Sequence, residues 1–83
     1  MEIVILDSAL KHGITEDRIL SCLFNARGDK LLDDPPPKRL LAGFDDGANA
    51  LEIIAVEDEK QECLTIIHAM ELRKQFYYLL EGN

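Results

Sequence analysis

Three strand-like stretches follow one another in the second half of this chain with only short turns between them, and that leaves few folds open. Arg39 to Phe44 alternates, placing Leu40, Ala42 and Phe44 on one face. Ala50 to Val56 is apolar on both faces through Ile53 and Ile54, as suits a central strand. Cys63 to Ile67 is the third strand. Asp45-Asp46-Gly47 and Asp58-Glu59-Lys60-Gln61 between them are turn chemistry. Strands joined by such short links pair antiparallel, so a three-strand meander is predicted.

The first half of the chain adds a strand and two helices. Glu2 to Leu6 is apolar and rich in β-branched residues, which predicts a short strand. Asp7 or Ser8 caps a helical turn over Ala9-Leu10-Lys11-His12, and Gly13 sits where a left-handed residue closes it. Thr15 is the predicted N-cap of a second helix, with Glu16 and Asp17 in its positive first turn. Ile14 and Ile19 occupy hydrophobic-staple positions, and Ile19, Cys22, Leu23 and Ala26 recur at helical spacing until Arg27-Gly28 ends the helix. Lys30 to Asp33 predicts a short strand. Pro35-Pro36-Pro37 then stops pairing, because proline has no N–H to donate.

From Met70 to Glu81 the spacing turns helical, with Leu72, Phe76, Leu79 and Leu80 as the buried stripe and Gly82 as the stop. The whole reads as one α+β domain over residues 1–83. It is expected to hold a small antiparallel sheet, a three-strand meander plus the N-terminal strand. Two N-terminal helices and one C-terminal helix should cover one face of it.

Composition narrows the function classes. A chain of 83 residues buries only roughly 60–65% of its unfolded surface, so a homodimer or a bound partner would add to a thin margin. Apolar residues at 47% argue against disorder. No apolar run approaches the ~20 residues that cross a bilayer. The Met1-to-Leu6 segment lacks the basic flank and length of a signal peptide, so a cytoplasmic location is expected. Cys22 and Cys63 have no metal-binding spacing and read as buried thiols, with a disulfide between them disfavoured in a reducing cytosol. The acidic groups Asp33-Asp34, Asp45-Asp46 and Glu57-Asp58-Glu59 lack calcium-loop spacing and read as solvated turns. No metal or other cofactor is expected. Ser8 and Ser21 stand in no nucleophile motif, and Gly43 and Gly47 make no phosphate loop. The net charge of −7 disfavours broad capture of RNA or DNA and leaves room for a small cationic patch or a basic partner.

The residues able to carry chemistry are few. His12 and His68 are the only histidines. Metal-free RNA cleavage needs one group to accept the 2′-hydroxyl proton, one to protonate the leaving oxygen, and cations to hold the phosphate. His68 suits proton transfer, since an unperturbed imidazole titrates near neutrality. Arg73 lies a little over one predicted helical turn beyond it. His68, Arg73 and His12 form the candidate catalytic set. Lys11, Arg39 and Lys74 are candidates to hold phosphate, and Tyr77 or Tyr78 to stack a base. Each also has an ordinary reading. His12 suits the negative end of its helical turn. His68 can bond a backbone carbonyl, Arg73 and Lys74 can be solvated, and the tyrosines can be packing.

Leu10-Lys11-His12-Gly13-Ile14 before a capped helix resembles the "KHGI/KHGV" start of the BrnT-like toxin family. The run Ile66-Ile67-His68-Ala69-Met70-Glu71-Leu72-Arg73-Lys74, leading from the last strand into a charged final helix, resembles it too. The resemblance covers most of the chain through short motifs and the order of elements. It implies a RelE-type toxin fold and a small ribonuclease neutralised by a cognate antitoxin protein. The chain departs from the family in the last helix. Several arginines are usual there, and here Arg73 and Lys74 are followed by Gln75-Phe76-Tyr77-Tyr78. Two readings follow. One is a toxin-like ribonuclease of a toxin–antitoxin module. The other is a non-catalytic protein-interaction domain on the same scaffold, working through an exposed strand edge or as a homodimer. A neighbouring gene for a small antitoxin would favour the first, and His12 and His68 on opposite sides without a cationic cleft would favour the second.

Overall fold

A computed structural model describes residues 2–32 and 37–81. The expected Asp33-Asp34 turn, most of the proline run and the Gly82 stop lie outside the described residues. The protein is α+β: a five-stranded sheet in the order β1-β5-β4-β3-β2, with β1 Glu2–Ile5, β2 Ala26–Leu32, β3 Lys38–Phe44, β4 Ala50–Asp58 and β5 Cys63–Glu71. Strands β2 to β5 form an antiparallel meander, and β1 pairs parallel to β5, Ile3 beside Leu64 and Ile5 beside Ile66.

This corrects the expected architecture in three ways. The meander has four strands rather than three, and the sheet is mixed. Asn25 ends the helix α1 (Glu16–Phe24), its N–H reaching the Ser21 and Cys22 carbonyls at 3.1 and 3.2 Å. The chain then enters β2 directly at Ala26, where helical spacing had been read. The C-terminal helix is shorter and tighter than expected. β5 keeps its pairing to β4 as far as Glu71 beside Leu51, and only a 3-10 helix follows, Lys74–Glu81. Cross-strand bonding there outweighs the helical spacing of the side chains. Finally, the helical segments cover both faces of the sheet. α1 and a 3-10 turn (Asp7–Leu10) lie on one, and the 3-10 helix lies on the other.

The start of α1 follows its sequence. The Thr15 hydroxyl accepts from the Arg18 N–H at 3.3 Å, and Ile14 and Ile19 are both buried. Gly13 takes φ +82° after the 3-10 turn, as its position required. On the α1 face, Ile19 and Cys22 pack against Leu51, Ile53 and Ala55 of β4 and Ile66 and Ala69 of β5. Gly43 of β3 lies directly beneath the end of α1. A Cβ there would stand 3.0 Å from the Ala26 Cα and the Asn25 carbonyl oxygen. On the opposite face, Leu40 and Ala42 of β3 pack against Leu72 and Leu79, with Phe76 and Leu80 alongside.

One irregularity sets the site. The β4–β5 register pairs Ile54 with His68 but Ala55 with Ile66, so Ile67 is an extra residue, a bulge. Its carbonyl accepts from the Ser8 hydroxyl at 2.8 Å. Strict alternation would put His68 on the same face as Ile66. The bulge turns His68 to the opposite one, the face that carries Glu52.

Candidate functional site

Glu52 is the residue the site is built on. It faces away from α1 in the middle of β4, beside Ala42 of β3, and is fully buried. A lone buried carboxylate costs several kcal/mol unless it is paired and hydrogen-bonded. Here it accepts four donors from β5 and the residues just beyond it. The Arg73 backbone N–H reaches Oε1 at 3.0 Å, Arg73 Nη2 reaches Oε2 at 2.7 Å, and Arg73 Nε lies 3.1 and 3.2 Å from the two oxygens. His68 Nε2 lies 3.1 Å from Oε2. Burial alone pushes the Glu52 carboxyl up. The bonds from Arg73 and His68 reverse this and hold it below its ordinary value. The bond to Glu52 in turn raises the Arg73 guanidinium.

His12 completes the cluster. The 3-10 turn packs against β5 where β1 has ended, with the Leu6 N–H on the Ile66 carbonyl at 3.0 Å. That carries His12 past the sheet edge to His68, ring centroids 5.6 Å apart and edge to face at 74°. The structure therefore joins the two histidines, which are 56 positions apart (68 minus 12) in the chain. On its other side Arg73 lies over the Phe76 ring, 5.2 Å from its centroid, and Lys30 of β2 approaches the same ring at 5.9 Å.

Not every candidate joins. Arg39 alternates with Leu40 along β3 and faces the α1 side, where it pairs with Asp29. It is across the sheet from the cluster and cannot serve the same phosphate. Lys11, Lys74 and Tyr77 are exposed and neighbour the cluster in sequence, and among the described residues no hydrogen bond or ion pair fixes them to it. Arg73 is present, but its charge is matched by Glu52 instead of standing open. Its side chain remains 46% exposed.

Sequence reasoning missed Glu52. The signal was there: a lone carboxylate in the apolar stretch Ala50 to Val56, where only a paired charge can sit. A second acidic residue was read as a solvated turn and is buried instead. Asp45 accepts from Arg18 Nε at 2.8 Å and from the backbone N–H groups of Gly47 and Asn49, both at 2.9 Å. The Arg18 bond and then the Asn49 bond hold its carboxyl at about 2. It ties α1 to the β3–β4 turn and has no open valence for a ligand. Both cysteines are free thiols.

Two surface depressions lie away from the histidines. One of about 430 Å³ borders the Asp45 turn at Phe44 and Arg27. The other, of about 440 Å³, runs between Leu31, Leu41, Ala55 and Leu64 on the part of the α1 face that α1 leaves open. Among the described residues no group of three or more His, Cys, Asp or Glu side chains could hold a metal ion. No helix among them is long and apolar enough to cross a membrane. Comparison with protein-family models, with curated proteins and with solved structures returns no match to this chain.

Proposed function

We propose that this protein is a toxin-like, metal-independent endoribonuclease of the cytoplasm, held in check by an antitoxin protein. The observation that carries the reading is the meeting of two imidazoles, one of them backed by a buried carboxylate. In the reaction, His68 takes the proton of an RNA 2′-hydroxyl. The 2′-oxygen attacks the adjacent phosphorus, and the bond from phosphorus to the 5′-oxygen breaks. The His12 imidazolium gives that oxygen its proton. The products are a 2′,3′-cyclic phosphate and a 5′-hydroxyl. Glu52 stabilises the imidazolium that forms on His68, the role a buried carboxylate plays behind a catalytic histidine. The outward part of Arg73, with Lys11 and Lys74, supplies cations near the scissile phosphate.

The non-catalytic interaction domain remains a second reading, and one observation favours it. Glu52 matches the Arg73 charge, leaving the exposed lysines and imidazoles as the main cations for a phosphate. One experiment separates the two. Purified protein is incubated with RNA, free and on translating ribosomes, in the presence of a chelator, and the new RNA ends are sequenced. The expected result is cleavage with 2′,3′-cyclic phosphate ends, reduced about 10²- to 10⁴-fold in His68→Ala and in His12→Ala. Intact RNA with the wild type, or cleavage by both variants at the wild-type rate, removes the ribonuclease and leaves the interaction domain.

A further inference from the structure

We propose that Glu52 is a positioning residue that holds His68 as the tautomer protonated on Nε2, so that Nδ1 is the atom that exchanges the proton. The inference deepens the reading above, on which its catalytic consequence rests. Its structural part stands on the geometry alone.

His68 offers Nε2 to Glu52 Oε2 at 3.1 Å. A carboxylate held ionised can only accept, so Nε2 must carry the hydrogen. Glu52 is held ionised, because Arg73 donates to it three times over, through its backbone and through two guanidinium nitrogens. The network thus has a fixed polarity: Arg73 fixes Glu52, and Glu52 fixes the imidazole. Among the described residues Nδ1 has no hydrogen-bond partner, and no buried side-chain nitrogen or oxygen is left unsatisfied, so Nδ1 touches solvent. A neutral imidazole protonated on Nε2 has its lone pair on Nδ1. In the proton transfer the 2′-hydroxyl hydrogen moves to Nδ1, the charge that forms on the ring faces the Glu52 carboxylate, and Nε2–H stays in place. The ring cannot easily turn over, since that would aim the Nδ1 lone pair at the carboxylate.

The test reads the ring nitrogens of His68 by nitrogen-15 NMR on the full chain, in mildly alkaline buffer where imidazoles are neutral. In the wild type Nδ1 is expected to show the shift of an unprotonated nitrogen and Nε2 that of a protonated one. His12 serves as the internal comparison. In Glu52→Gln the preference is expected to fall and the two His68 shifts to move toward each other, because an amide can donate as well as accept. A His68 protonated on Nδ1 in the wild type overturns the inference. So does a tautomer that Glu52→Gln leaves unchanged in a folded protein. If Glu52→Gln does not fold, the wild-type spectrum decides alone. On RNA, Glu52→Gln is expected to lower kcat about 10²- to 10⁴-fold with KM little changed. The expected tautomer together with no RNA cleavage by the wild type upholds the positioning of His68 and removes the ribonuclease.

Discussion

Leu51, Ile53 and Ala55 of β4 are buried in the apolar cluster of the α1 face, while Glu52, between two of them, is just as buried on the other face against a guanidinium and an imidazole. The two faces use the same strand and the same neighbours to different ends. On the α1 face each fully buried Leu or Ile contributes about 1.5–3 kcal/mol and no direction. Around Glu52 the net stabilisation is smaller, because desolvation offsets most of the attraction, but every donor has a fixed direction. The apolar face holds the fold, and the charged face aims the His68 ring. A site that needs oriented imidazoles belongs on the second.

The comparison can be broken by removing one partner at a time. Arg73→Ala leaves a buried carboxylate facing only His68, and a loss of about 3–5 kcal/mol in denaturant unfolding is expected. It also reverses the pH response of Glu52. In the wild type the lowered Glu52 carboxyl contributes stability above its unfolded value, and that contribution is lost as pH falls through the folded value. With Arg73 gone, burial raises the carboxyl instead, and the variant should lose stability as pH rises. Unfolding curves across pH 3 to 8 (chosen to bracket an ordinary carboxylate and imidazole) check both the size and the sign. Equal stability of Arg73→Ala and the wild type would sink the account of the charged face.

Leu51→Ala, one residue from Glu52, should cost about 2–5 kcal/mol with no change of sign with pH and no change in the His68 tautomer. If it shifted the tautomer, the two faces would not be separable. Gly43→Ala tests how tightly α1 is seated, since its Cβ would meet backbone atoms at 3.0 Å that cannot swing away. A loss of about 1–3 kcal/mol is expected, read from thermal unfolding. The smallest effect is kinetic. Burial and then the nearby Asp45 charge push the Cys22 thiol up to about 11. A disulfide reagent at neutral pH should therefore modify Cys63 first and reach Cys22 only on the timescale of unfolding. Equal rates for both thiols would show that the α1 face opens freely.

Acid adds a separate check on the turn that ties α1 down. Asp45 drops from an ordinary value of 3.8 to about 2 through Arg18 and its turn. Its contribution is complete above the unfolded value and fades as pH falls toward about 2. Asp45→Asn should flatten that part of the acid unfolding curve.

Much of the chain was legible residue by residue. Thr15, Ile14, Ile19 and Gly13 behave as local chemistry dictates, because caps, staples and left-handed glycines act within a few residues of themselves. The three later strands were legible from alternation and turn residues. Of β2 only the end from Lys30 was legible; its start at Ala26 was not, since this edge strand carries polar residues and no continuous apolar face. The end of β5 was misread because Leu72, Phe76 and Leu79 keep helical spacing whether or not the residues before them pair with β4.

What the sequence settled by itself was the α+β class, the start of α1 and the few positions that carry an imidazole or a guanidinium. What only the tertiary structure decided was which of them share a face. Side chains alternate along a strand, so one extra residue reverses every later one. The bulge at Ile67 is such a residue. It depends on pairing across to β4 and on a bond from Ser8, neither of which is written in the order of amino acids around it. Through that single offset His68 reaches Glu52 and His12.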